Sequence, residues 1–137
     1  MTRTMILAGI AAGLLAAPAV AGDAAAGEKI FMKCKACHSI IAPDGTAIQK
    51  GGRTGPNLFG VIGRPVASEP GFDYGNSIKA AGATGAVWDE ASLATYVADP
   101  TAWLKQVTGD DSAKTKMTFK LPEGGADVAA YLASVGK

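Results

Sequence analysis

The chain has 137 residues, 48% of them hydrophobic, with 13 Lys and Arg against 12 Asp and Glu and a formal net charge of +1 at pH 7. That length suits one small domain rather than several. The charge balance is too even to single out nucleic acid or an anionic surface as a partner, so any partner must be read from how the charges are distributed.

In chain order, the first segment reads as an address. Arg3 gives a short positive start, Met5 to Ala17 is an apolar run, Pro18 breaks it, and Ala19-Val20-Ala21 is a small-x-small exit. A membrane-spanning helix needs about 20 apolar residues, and this run is shorter. The expectation is a secretory signal peptide over 1–21, removed after Ala21, and a mature domain over 22–137 in the periplasm. Without the leader, 12 basic side chains face 12 acidic ones. Secretion also places Cys34 and Cys37 in an oxidising compartment, where a disulfide is the default expectation.

Asp23 is predicted to cap a helix running through Gly27, Ile30, Phe31 and Cys34, with Gly27 leaving room for a second helix to cross closely. Pro43 to Arg64 is rich in Gly, Pro, Asp and Asn and predicts loops and turns. A weak helical patch follows at Asn76 to Ala81. Asp89 then caps a stronger helix with Leu93, Tyr96 and Val97 on one face. Pro100 stops that helix and opens the next, through Trp103, Leu104 and Val107. Gly109 to Glu123 is polar and irregular. The last helix runs from Ala126 to Val135, with Val128, Tyr131, Leu132 and Val135 at i, i+3, i+4, i+7 spacing. No run alternates with period two for long enough to predict a sheet. The fold class is all-α: short helices joined by long loops, with no internal repeat. Loops of this length in a small domain usually wrap something, here a flat apolar ring.

Cys34-Lys35-Ala36-Cys37-His38 is C-x-x-C-H, the haem-attachment signature. On a helix, residues three apart share a face, so both sulfurs can form thioethers to one porphyrin while the adjacent histidine offers a nitrogen to the iron. Three other readings compete. A disulfide at three-residue helical spacing is too tight to be a useful cross-link, a thioredoxin-like pair needs a βαβ context, and a zinc site needs a second Cys or His pair. The chain supplies none of these.

His38 is the only histidine, so two histidine ligands within one chain are impossible. Of four methionines, Met1 and Met5 fall in the leader and Met32 sits two residues before Cys34, on the wrong side for the distal face. Met117, in the late irregular stretch, is the remaining candidate. On residues alone, a gap-filling Met117 with lysine or water at the iron stays open. A Met/His pair raises the reduction potential and fills the sixth position, which suits a carrier rather than a haem enzyme.

With these residues in hand, the mature chain resembles class I cytochromes c, and within them bacterial cytochrome c2. The resemblance rests on five ordered blocks: Cys34 to Ser39; Thr54-Gly55-Pro56-Asn57-Leu58-Phe59-Gly60 with Gly63-Arg64; Gly71-Phe72-Asp73-Tyr74; Trp88 leading into Tyr96 to Pro100; and Thr115-Lys116-Met117-Thr118-Phe119. It implies a class I cytochrome c fold around one covalently attached haem c, with Cys34 and Cys37 as attachment points and His38 and Met117 as axial iron ligands. It implies that the Pro56 carbonyl accepts a hydrogen bond from His38. It also implies that Tyr74 and Trp88 bond a buried haem propionate near Arg64, and that Tyr96 and Thr115 hold the Met117 side. Gly75 departs from the shorter mitochondrial relatives, which carry Thr there, and 42–52 and 108–114 look like insertions of the longer cytochrome c2 type.

Lys33, Lys35, Lys50, Lys79, Lys105, Lys114, Lys116 and Lys120 mostly flank the attachment helix and the methionine stretch, with acids such as Asp23, Glu28, Asp44 and Asp127 elsewhere. That arrangement predicts a dipolar molecule steered haem edge first onto acidic partners. The resemblance implies a monomeric electron carrier that takes electrons from the cytochrome bc1 complex. Its acceptor would be a photosynthetic reaction centre, a terminal oxidase or both, with membrane contact only through those proteins. The competing readings are a c-type haem enzyme or gas sensor with a labile sixth ligand, and a haem domain tethered in a larger complex.

Overall fold

A computed structural model of the chain describes residues 22–137, so the predicted leader and its cleavage point lie outside the described residues. Five helices carry the fold: α1 (Ala24–Phe31), α2 (Asn76–Ala83), α3 (Glu90–Ala98), α4 (Pro100–Thr108) and α5 (Gly125–Val135). Their starts follow the predicted caps. The Asp23 carboxylate accepts from the Ala25 and Ala26 amides. Asp89 and Ser92 form a reciprocal capping box, each side chain bonding the other's backbone amide. Asp99 ends α3 in an extended conformation, and its carboxylate then accepts from the Ala102 amide to open α4. Pro100 at the first position of α4 has no amide to satisfy. None of these helices is long and apolar enough to cross a membrane.

A short sheet departs from the predicted all-loop stretch. Strands β1 (Ile40–Ile41) and β2 (Ala47–Gln49) pair antiparallel, and Pro65 bridges Val87. Strands of two and three residues are too short to show alternation. Side chains hold them instead: Asn57 bonds both the amide and the carbonyl of Ile41, and Gln49 donates to the Tyr131 hydroxyl on α5 at 2.9 Å.

The chain's two ends meet where α1 packs on α5, and α5 in turn packs on α3. Gly27 is at the crossing: a Cβ there would collide with the Asp127 carbonyl and lie 2.9 Å from Cβ of Tyr131. Phe31, fully buried, packs on the Tyr131 ring at 5.8 Å between centroids. Beside them Trp88 stacks on Trp103 at 4.9 Å, and Tyr96 packs against both rings. The two groups are parts of one apolar core that includes Leu93, Leu104, Val128 and Leu132. These four side chains also form a wall of the cavity around which the functional residues gather.

Candidate functional site

The helix expected to carry Cys34 to His38 stops at Phe31, and the motif lies on the tight turns that follow. Past Phe31 the backbone tightens: Lys33 N–H donates to Ile30 O at 3.0 Å, three residues back rather than four. Gly52 N–H donates to Lys35 O and Gly55 N–H to Cys37 O, each at 2.8 Å, which ties these turns to the following loop. The turns still repeat every three residues, with Cys34 N–H donating to Phe31 O at 2.8 Å and Cys37 N–H to Cys34 O at 3.2 Å. Both cysteines and His38 line one cavity of about 600 Å³.

The two cysteines are not joined in a disulfide. Burial, with a smaller effect from Cys37, pushes the Cys34 thiol up to about 11. Among the described residues no group of three or more His, Cys, Asp or Glu side chains comes together to hold a metal ion. The zinc reading therefore lacks the further ligands it needs.

His38 Nδ1 lies 2.8 Å from the Pro56 carbonyl oxygen. A carbonyl can only accept, so Nδ1 carries the proton and the Nε2 lone pair is left available. Burial lowers the imidazole's proton affinity, and the bond to Pro56 partly offsets that effect. Gly55 makes this packing possible: a Cβ at that position would overlap the imidazole. Ser39, a buried polar residue, ties the turn to the next loop through Gly51 N–H at 3.0 Å and the Gly52 carbonyl at 3.2 Å.

Met117 lines the same cavity, half-buried, whereas Met32 is 59% exposed and not among the lining residues. The Thr115 hydroxyl accepts from Met117 N–H at 3.0 Å and donates to Met117 O at 3.2 Å, fixing the backbone that presents the thioether. Tyr96 lines the same cavity; burial raises its proton affinity, and the neighbouring Thr115 hydroxyl opposes that rise. Pro56, Arg64, Tyr74 and Trp88 complete the lining. Tyr74 accepts from Glu69 N–H at 3.0 Å, and its hydroxyl hydrogen remains free to donate. Trp88 is 6% exposed and is held by backbone bonds from its amide to Arg64 O and from Gly63 to its carbonyl.

The enclosure is mostly apolar, with polar groups confined to a few points, two thiols at its rim and a neutral imidazole with a spare lone pair. A flat ring needing two covalent attachments and nitrogen and sulfur ligands fits this donor set. No protein-family profile matches the chain, but individual proteins do. It is 61% identical over 137 residues to cytochrome c2 of Rhodobacter capsulatus, covering 100% of both chains. The chain belongs to the class I c-type cytochromes. It is also 59% identical over 135 residues to cytochrome c-550 of Paracoccus versutus, covering 96% of this chain and 88% of that protein. The crystal structure of the Rhodobacter capsulatus cytochrome c2 superimposes with a TM-score of 0.83 at 63% identity, covering 85% of this chain and 100% of that one. Ferric cytochrome c-550 from Paracoccus versutus gives a TM-score of 0.82 at 58% identity, covering 85% and 99%.

This cytochrome therefore has the all-α class I fold and one covalently bound haem c, and its function is electron transfer. Lys33, Lys114 and Lys116 line the cavity mouth; Lys35, Lys50, Lys79, Lys105 and Lys120 are not among the lining residues, although Lys35 sits between Cys34 and Ala36, which are. Nor are all acids elsewhere: Asp73 lies at the mouth, 3.5 Å from Lys116, and Asp99 pairs with Lys120 at 3.0 Å. Sequence reasoning also missed Glu69, whose carboxylate pairs with Arg64 at 2.6 Å. No motif flags it, because ion pairing across a five-residue turn depends on the path of the turn.

Proposed function

We propose that this cytochrome is a periplasmic single-electron carrier, with thioethers at Cys34 and Cys37 and His38 and Met117 as the axial ligands. The observation that carries this reading is the convergence of the free His38 Nε2 and the Thr115-braced Met117 on one cavity. A haem in that cavity supplies a one-electron ferric/ferrous couple, raised in potential and closed to exogenous ligands by the nitrogen and thioether. Pro56 orients the imidazole and makes it a better donor. Tyr96 and Thr115 keep Met117 facing inward, and the apolar wall of Leu93, Leu104, Val128 and Leu132 excludes water. On the polar side Arg64, Tyr74 and Trp88 would hold the haem carboxylates.

Residues 1–21 serve as the leader, leaving Gly22 as the mature start. The donor is the cytochrome bc1 complex and the acceptor a photosynthetic reaction centre, a terminal oxidase or both. Of the candidate docking lysines, Lys33, Lys114 and Lys116 sit where an electron would enter or leave. Lys33→Ala with Lys114→Ala slows association with the isolated bc1 complex several-fold at low ionic strength, and the effect disappears near 0.5 M salt. Stopped-flow rates across a salt series check this, and an equal effect at all salt concentrations counts against steering.

The reading is tested on the mature protein produced with haem-attachment machinery. A low-spin c-type spectrum, a weak sulfur-to-ferric-iron band at the red end, and no response of the ferrous form to carbon monoxide are expected. Ready carbon monoxide binding would instead make this a haem enzyme or gas sensor with a labile sixth ligand.

A further inference from the structure

Arg64 and Tyr74 line the cavity, but the residue that organises both does not. Glu69 Oε2 accepts from Arg64 Nη1 at 2.6 Å, with the two side chains only 23% and 17% exposed. Its backbone N–H donates to the Tyr74 hydroxyl at 3.0 Å. The carboxylate borders an adjoining cleft with Gly71 and Phe72, outside the main cavity. One residue thus reaches the guanidinium through its side chain and the phenol through its backbone.

The turn that brings Glu69 there is constrained on both sides. Arg64 O accepts from Trp88 N–H at 3.0 Å and Val66 N–H donates to Ala86 O at 2.9 Å, fixing the strand-like start. Ala67 then adopts a left-handed φ of 58°, and the Ser68 hydroxyl donates back to Pro65 O at 2.6 Å. A left-handed alanine costs roughly 1–2 kcal/mol, so this path persists against an unfavourable backbone conformation. The guanidinium is held from the other side by the carbonyls of Phe59 at 3.3 Å and Asn57 at 3.1 Å. Arg64 therefore has a fixed position, and its nearest counter-charge is Glu69.

We propose that Glu69 is a positioning residue that lowers the reduction potential of this cytochrome by neutralising and orienting Arg64. The inference rests on the reading above, in which Arg64 faces the carboxylate side of the haem. A bare guanidinium in a partly buried site favours the ferrous form, which carries one positive charge fewer at the iron. Paired with a carboxylate at 2.6 Å, most of that field cancels. At an effective dielectric of about 20, a charge some 10 Å away is worth roughly a tenfold change in equilibrium.

The test is the reduction potential of the haem-loaded protein, together with hydrogen-exchange rates of the Arg64 guanidinium by NMR. Glu69→Gln keeps the shape and removes the charge. It shifts the reduction equilibrium roughly three- to tenfold toward ferrous iron, upward by about 30–60 mV at 59 mV per tenfold, and speeds guanidinium exchange. Glu69→Asp, which retains the charge, restores at least half of that shift. In an Arg64→Gln background, where the freed carboxylate turns to solvent, Glu69→Gln gives less than a third of it. An unchanged or lowered potential in Glu69→Gln, while Arg64→Gln alone does shift it, overturns the role of Glu69 and leaves the placement of Arg64 standing. Equal shifts in both backgrounds overturn action through Arg64. No shift in Arg64→Gln itself removes the placement of Arg64, and the inference with it.

Discussion

Met117→Leu lowers the reduction potential by at least about 60 mV, a tenfold or greater change for a one-electron couple, and opens the iron to carbon monoxide and imidazole. Leucine matters because it separates two roles. It has nearly the volume of methionine and fills the same half-buried site, so a residue present only for packing would tolerate the exchange at less than about 1.5 kcal/mol with its spectrum intact. A ligand cannot tolerate it, since leucine has no lone pair. Potentiometry and a ligand titration of the ferric protein read the difference. Retention of the wild-type potential and of the red-end band in Met117→Leu would remove the ligand assignment. Thr115→Val, which loses the hydroxyl bonded to both Met117 backbone groups, should show a weaker form of the same behaviour, with faster binding of external ligands.

Gly27→Ala produces the largest loss of stability expected at a site remote from the cavity. The added methyl meets the backbone carbonyl of Asp127, which cannot swing aside as a side chain can. Relief requires α1 and α5 to separate, loosening Phe31 against Tyr131. Overpacking of this kind costs about 3 kcal/mol, or roughly 10–20 °C in melting temperature for a domain of this size. Glu28→Ala, an outward-facing change on the same helix, stays within about 0.5 kcal/mol. Thermal melts of both variants in the ferric form check the contrast. Equal midpoints would mean that the helices do not approach as closely as their backbones indicate.

Much of this architecture is legible in the residues because its signals are local. Asp23, Asp89 and Pro100 open helices through interactions within three residues of themselves, and C-x-x-C-H carries its chemistry in five adjacent positions. What escapes the sequence is set by distant segments. After Phe31 the first helix gives way to turns whose amides donate three residues back, and glycine amides of the following loop bond the carbonyls of Lys35 and Cys37, contacts that no local pattern announces. The short hairpin exists because Asn57 and Tyr131 hold it, and two or three residues carry no readable period. Gly27 announces a close approach without naming its partner. At the site, His38, Pro56 and Met117 are readable from motif and resemblance. The Glu69–Arg64 pair is not, since it depends on one left-handed alanine.

The stacked indoles have a practical consequence. The chain has two tryptophans, and they lie 4.9 Å apart in a single corner built by α3, α4 and the strand-like segment before them. With the haem beside Trp88 their emission is quenched in the folded protein, so its recovery reports when this corner moves away from the haem. The contact between the first and last helices contributes nothing to this emission directly. An unfolding curve followed by tryptophan emission and one followed by far-ultraviolet circular dichroism coincide only if the two regions melt together. A gap between the curves would identify a partly opened species in which one corner has loosened before the other.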